Sequence, residues 1–226
     1  MKQLLLLGVF CGIVTTSVAQ GRFDVKQSVR LGFKIDPTIT ILNPQEAGVN
    51  RNSAKLGVSY GLMVDFLLDP EGRYAIASGL QISTAGSKLK YDAGKGLGNF
   101  RQQPAEYNMK LQHIEIPLSI KLKTVGGSDI AYWGQFGTYF GFPIRARADV
   151  VTMSQTFDRQ HILKDINRIN IGMLIGAGIE YPLGESLTGL VGISFQNGFI
   201  DVTRNSKWDD GRVNLNSFAL KLGVYF

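Results

Sequence analysis

Cysteine is almost missing: the 226-residue chain has one, Cys11, and it falls inside an apolar leader. Residues 1–19 read as a secretory signal peptide, with Lys2 as the positive n-region, Leu4 to Val14 as the h-region and Ser17-Val18-Ala19 as the cleavage site. Cys11 does not mark a lipoprotein, because it sits behind bulky Phe10 within the h-region and not at the cleavage point. Removing 19 of 226 residues leaves 207 without any cysteine. Disulfides and thiolate metal sites are thereby excluded for the exported chain.

Long hydrophobic runs are also lacking after the leader, which excludes spanning helices, and mean hydropathy is near zero at +0.04. A spanning barrel is still compatible with that value, since only alternate residues of its strands need be apolar. Histidine is scarce, at two residues, and acidic residues are outnumbered. Without Lys2 the exported chain carries 23 basic and 18 acidic side chains, a net charge of +5.

What is present is alternation with period two, in eight stretches. The first, near Gln27 to Asp36, sets Val29, Leu31, Phe33 and Ile35 against Arg30, Gly32, Lys34 and Asp36, and a polar loop is expected at Asn43 to Ser53. The second sets Leu56, Val58, Tyr60, Leu62, Val64 and Phe66 against Lys55, Gly57, Ser59, Gly61, Met63 and Asp65, ending at the turn Asp69-Pro70-Glu71-Gly72. The third carries Tyr74, Ile76, Leu80 and Ile82 and dissolves into a Gly-rich stretch from Asp92 to Glu106. The fourth carries Ile114, Ile116, Leu118, Ile120 and Leu122, with Pro117 predicting a bulge or a local break in its ladder.

After a turn at Gly126-Gly127-Ser128, the fifth stretch presents Ile130, Tyr132, Phe136, Phe140 and Phe142 and leads to the longest expected loop, Arg145 to Asp165. The sixth and seventh carry Ile169 to Tyr181 and Leu187 to Phe195, and a loop near Thr203 to Arg212 precedes the last, which ends Phe218, Leu220, Leu222, Val224, Phe226. Connections alternate long and short, the rhythm of an outer-membrane barrel with outer loops and periplasmic turns. No repeat, low-complexity tract or linker interrupts residues 20–226, so one barrel domain is expected there.

Alternation does not say which face is inside. The polar face is rich in Gly, Ser, Ala and Thr and poor in charge, which suits a crowded lumen better than a wet surface. The apolar face gathers Phe66, Tyr74, Tyr132, Tyr181 and Phe226 beside the short turns, with Phe140, Phe142 and Phe218 towards the other end, as interfacial girdles do. The expected fold is therefore all-β, an eight-stranded antiparallel up-and-down transmembrane barrel. Its first and last strands must pair, because an open edge in hydrocarbon leaves backbone groups unsatisfied. Eight strands leave a lumen filled by side chains. Its charges, Arg30, Lys34, Lys121 and Lys221 against Asp36, Asp65, Glu115 and Glu180, are expected to neutralise one another as a structural polar network.

No catalytic, cofactor or metal site is expected. His113 and Glu115 share a face about 7 Å apart by strand rise, and His161 falls in the longest loop, but neither has a Ser, Cys or Asp at a spacing that predicts a triad. Calcium at Asp209-Asp210 has no supporting ligand spacing. Basic residues cluster near the long loops: Lys88, Lys90, Lys95 and Arg101; Arg145, Arg147, Arg159 and Lys164; Arg204, Lys207 and Arg212. They are suited to anionic headgroups of outer-membrane lipid, including lipopolysaccharide. Nucleic acid is a poor partner, for no aromatic-interleaved basic groove or known module occurs.

Specific wording runs along the strands: Leu111 to Lys123 (LQHIEIPLSIKLK), Tyr132 to Gly137 (YWGQFG), Gly176 to Tyr181 (GAGIEY) and Phe195 to Phe199 (FQNGF). In these the chain resembles the small outer-membrane β-barrel proteins of Bacteroidetes labelled PorT-like or porin family, over nearly the whole exported length. The resemblance carries no catalytic residue. Since PorT assists the type IX secretion system, it implies a link to secretion and to envelope proteins as partners. The expectation is a non-enzymatic envelope protein with a structural or accessory role, its loops extracellular and its turns and termini periplasmic. The alternative is a narrow solute pore, and behind that an adhesin or envelope enzyme.

Overall fold

The computed structural model describes residues 29–124 and 130–226; the signal peptide, the start of the first stretch and the turn at Gly126-Gly127-Ser128 lie outside the described residues. Nine strands follow: β1 (Val29–Pro44), β2 (Val49–Leu67), β3 (Tyr74–Tyr91), β4 (Ala105–Lys123), β5 (Ala131–Thr152), β6 (Thr156–His161), β7 (Asn170–Pro182), β8 (Thr188–Gly198) and β9 (Val213–Tyr225). A one-turn helix, α1 (Asn205–Trp208), precedes β9. Every pairing is antiparallel, and because β1 pairs with both β2 and β9 while β4 pairs with β5, eight strands close into a ring. Among the described strands only β6 stands outside it, folded back on the far end of β5.

The alternation is inside-out relative to a soluble protein. Leu62, Ile120, Phe136 and Ile193 point outward and are 56–68 % exposed, whereas Asp36, Asp65, Glu115 and Glu180 point inward and are 2–3 % exposed. The outward greasy rows run round the ring, with Phe195 and Phe218 stacked across β8 and β9 at 4.6 Å between ring centres.

Two expectations need correction, and they share one cause. The loop expected at Asn43–Ser53 shrinks to 45–48, with β1 running to Pro44 and β2 restarting at Val49. The loop expected at Arg145–Asp165 begins as strand, since β5 continues to Thr152 and β6 returns. Towards this loop end the apolar residues change sides. Leu89, Tyr91, Tyr107, Met109, Ala148 and Val150 face inward and are buried, while Lys88, Lys90 and Lys110 face outward. Strand composition therefore looks loop-like on the outside, because that stretch of the ring meets water and keeps its grease within.

Pro117 breaks its ladder on one side, one of the two outcomes expected of it. It pairs with Tyr139 without any shift in the β4–β5 register, while on its other side the β3–β4 ladder lapses between Ser78↔Leu118 and Gln81↔Glu115. Ser78 Oγ donates to the Pro117 carbonyl at 2.9 Å across that gap. The break is where the missing N–H predicts; the bulge is elsewhere, between His113↔Pro143 and Gln112↔Arg145. That extra residue, Ile144, switches β5 from odd to even residues inward, carrying Ala146, Ala148 and Val150 into the core.

The core at the loop end is a packed lid over the barrel. Tyr91, Tyr107 and Trp208 meet with centroids 4.9–5.6 Å apart, Leu42, Leu89, Val213 and Leu215 fill round them, and Trp208 Nε1 donates to the Asp165 carbonyl at 2.9 Å.

Candidate functional site: a lumen closed at both ends

The turn end of the lumen is shut by side chains from six strands. Lys121 (β4) donates to Asp65 (β2) at 2.8 Å, to Glu180 (β7) at 2.6 Å and to the Tyr225 hydroxyl (β9) at 2.9 Å. Arg30 (β1) binds the other oxygen of Glu180 at 3.0 Å and lies 4.2 Å over the Tyr225 ring. Lys123 adds a contact of 3.4 Å to Glu180, and the Lys121 ammonium lies 5.6 Å from the ring of Trp133 on β5. Each is an inward position of its strand, and Arg30 faces Asp65 directly in the β1–β2 register. Trp133 fits because Gly192 stands against it, where a Cβ would meet the indole at 2.5 Å.

Above this floor is a polar cavity of about 40 Å³, room for a few waters, lined among others by Lys34, Asp36, Thr38, Gln135 and Lys221. Lys34 pairs with Asp36 at 2.8 Å, and the other Asp36 oxygen accepts the Leu222 N–H at 3.2 Å, where the β1–β9 ladder lapses around Pro37. Gln81 also lines the cavity, and Glu115 accepts from its Nε2 at 2.7 Å. The eight charges are thus brought together, but not in four ion pairs. Among the described residues Glu115 is held by an amide and Lys221 sits 5.4 Å from the Trp133 ring without an ion pair, while Glu180 takes three cations.

His113 lies just under the lid, 1 % exposed. Ser83 stands opposite it in register but shares a 2.7 Å hydrogen bond with Ser59, so no nucleophile–base hydrogen bond forms. His161 is exposed on β6, paired in register with Arg147. No group of three His, Cys, Asp or Glu residues close enough to hold a metal occurs among the described residues. Asp210 is buried in the lid, accepting from Tyr91 Oη at 2.9 Å and Thr203 Oγ1 at 3.1 Å. Burial, with the charge of nearby Asp201 adding to it, pushes its carboxyl up to about 6.

The basic residues divide. Lys95 and Arg101 are tied down within the lid loops, to Glu46 at 3.3 Å and to the Lys207 carbonyl at 2.7 Å. Lys88, Lys90, Arg145 and Arg147 stand on strands, and with them are Lys55 and Lys110, which lie too far from the expected loops to be counted with the loop charges by sequence.

The family described as outer membrane protein beta-barrel domain matches residues 18–204. This chain belongs to it. As a member of an outer-membrane barrel family, it presents the outward rows of Leu, Ile and Phe to lipid. Neisserial surface protein A is similar in structure, at TM-score 0.46 and 13 % identity over 86 % of this chain and 95 % of that one. OprG of Pseudomonas aeruginosa is similar at TM-score 0.42 and 10 % identity, over 88 % and 96 %. Ail, the attachment invasion locus protein of Yersinia pestis, is similar at TM-score 0.35 and 12 % identity, over 88 % and 97 %. No curated protein matches the sequence.

Proposed function

We propose that this outer-membrane barrel is a closed, non-enzymatic envelope protein with a structural or accessory role, and not a solute pore. The observation that carries the reading is the stacking of two seals along one axis. The six-strand ion-pair floor around Lys121 and Glu180 lies below, and the apolar lid around Tyr107 and Trp208 above, with a polar cavity of about 40 Å³ between. The histidine that shares a strand face with a carboxylate is sealed under that lid, out of reach of a substrate. In this reading the lid and loops face outside the cell, and the turns and termini lie in the periplasm. That orientation follows the length rule for such barrels, since the three longest connections, those after β3, β5 and β8, lead into the lid.

The test is planar-bilayer conductance of the purified, folded protein. No steady current above the lipid background is expected; steady ohmic current would make the solute pore the correct reading. In its narrowest form the accessory role is the link to type IX secretion that the likeness to PorT-like proteins implies. A deletion strain that still secretes normally would remove that link and leave the closed barrel untouched.

A further inference from the structure

The outer wall of the barrel is charged on one side only, immediately above the lipid-facing rows. On β3, β4 and β5 the last greasy row is Ile82, Ile114 and Phe142, aligned in register. The next outward rows are Thr84, Gln112 and Arg145, then Gly86, Lys110 and Arg147, then Lys88, Asn108 and Asp149. On β8, β9 and β1 the strand ends carry amides instead: Asn197 opposes Asn216, and Asn214 opposes Asn43.

Lys55 completes the patch from the neighbouring strand. It lies across β3 at Gly86, where a Cβ would meet its Cδ at 2.9 Å, and its ammonium reaches Asn108 Oδ1 on β4 at 2.6 Å. Five cations, Lys55, Lys88, Lys110, Arg145 and Arg147, thus share two carboxylates: Lys110 meets Asp149 at 2.9 Å and Lys88 meets Glu106 at 3.7 Å. Lys55 has only neutral acceptors, and Arg147 Nε is buried without a hydrogen-bond partner. Clustered cations with spare donors are short of an anion.

We infer that this patch binds the phosphate groups of a phosphorylated glycolipid of the lipid A class in the outer leaflet. The inference rests on the orientation given above. The first cationic row is about 7 Å along the strand from the last greasy row, two residues of rise, so a lipid whose acyl chains lie on Ile82 and Ile114 brings its headgroup phosphates to the row of Arg145 and the next row, of Lys110 and Arg147. Arg147 and Arg145 offer planar forks and Lys55 and Lys110 point charges, the donors phosphate takes best. An anion free in solution has no reason to be met beside the greasy rows; a headgroup anchored there does.

The test uses the full exported chain folded in phosphatidylcholine vesicles doped with diphosphoryl lipid A, dephosphorylated lipid A or phosphatidylglycerol. Lipid retained after detergent extraction and size exclusion is then quantified. Wild type is expected to retain diphosphoryl lipid A selectively, and Lys110→Gln with Arg147→Gln to retain at least about tenfold less, from the loss of charge-assisted hydrogen bonds. Lys207→Gln, on the lid, should retain as much as wild type. Equal retention by the double variant, equal retention of the dephosphorylated lipid or of phosphatidylglycerol, or full displacement by millimolar inorganic phosphate would each overturn the assignment. Heat-modifiable gel mobility reports the folded barrel in every arm, and conductance tests the closed lumen separately, so a failure here is not mistaken for a failure there.

Discussion

Lys121 illustrates how a single side chain serves as a keystone. Its ammonium has three donors and three acceptors within 2.9 Å, on β2, β7 and β9, so it ties together strands far apart in the chain. Glu180 retains Arg30 and Lys123 if Lys121 is lost, but Asp65 retains no ion pair. Lys121→Met is therefore expected to destabilise the barrel by about 3–5 kcal/mol, the usual cost of stranding a buried charge. Urea unfolding in vesicles measures it, and a cost under about 1 kcal/mol would mean that water relieves Asp65 instead. The charged positions themselves were readable as inward from parity, but their partners were not. Glu115 with Gln81, and Lys221 beside Trp133, depend on which rotamers meet across a ring about eight strands round.

A strand of this protein has two solvents along its length. In β3 and β4 the odd residues face inward from end to end, yet the grease lies on the even residues up to Ile82 and down to Ile114 and on the odd residues beyond. Period-two alternation reveals the half in lipid, where one whole face must be apolar. Beyond it, the outward face of Lys88, Lys90, Asn108 and Lys110 resembles a loop, so the sequence pattern ends the strands short. The repeated Leu89, Tyr91 and Tyr107, Met109, Leu111 are the signal for their continuation, as alternation with its phase reversed. Lipid contact gives a direct prediction at this scale. Leu118→Arg, on an outward greasy row of β4, should cost about 2–4 kcal/mol of stability in vesicles, whereas Lys88→Leu on β3 beyond the lipid should cost far less. Similar costs for the two, compared by urea titration, would argue that the greasy rows do not meet lipid.

At the scale of the whole molecule the lid carries carboxyls that burial raises, and the one most strongly raised is Asp210. Burial raises this carboxyl from 3.8 to about 6, so the folded lid holds the proton more tightly than the unfolded chain does. The stabilisation is full below about pH 4 and is lost as pH rises through about 6. The lid should therefore open more readily at about pH 7.5 than at about pH 5, by on the order of 1 kcal/mol after allowance for partial solvent screening. Asp210→Asn keeps an acceptor for Tyr91 and should flatten the difference. Hydrogen exchange over 199–212, corrected for its intrinsic pH dependence, reads the effect, and an unchanged slope in the variant would assign it to another group.

The barrel, its strand count and its inside-out polarity were determined by sequence alone, because lipid on one side imposes a rule on every second residue and local order suffices to express it. Closure of the lumen, the lid of Tyr91, Tyr107 and Trp208, and the patch that Lys55 completes across Gly86 were decided only by tertiary structure. Their parts come from strands and loops distant in the chain, and no short-range pattern records which of them meet once the ring has closed.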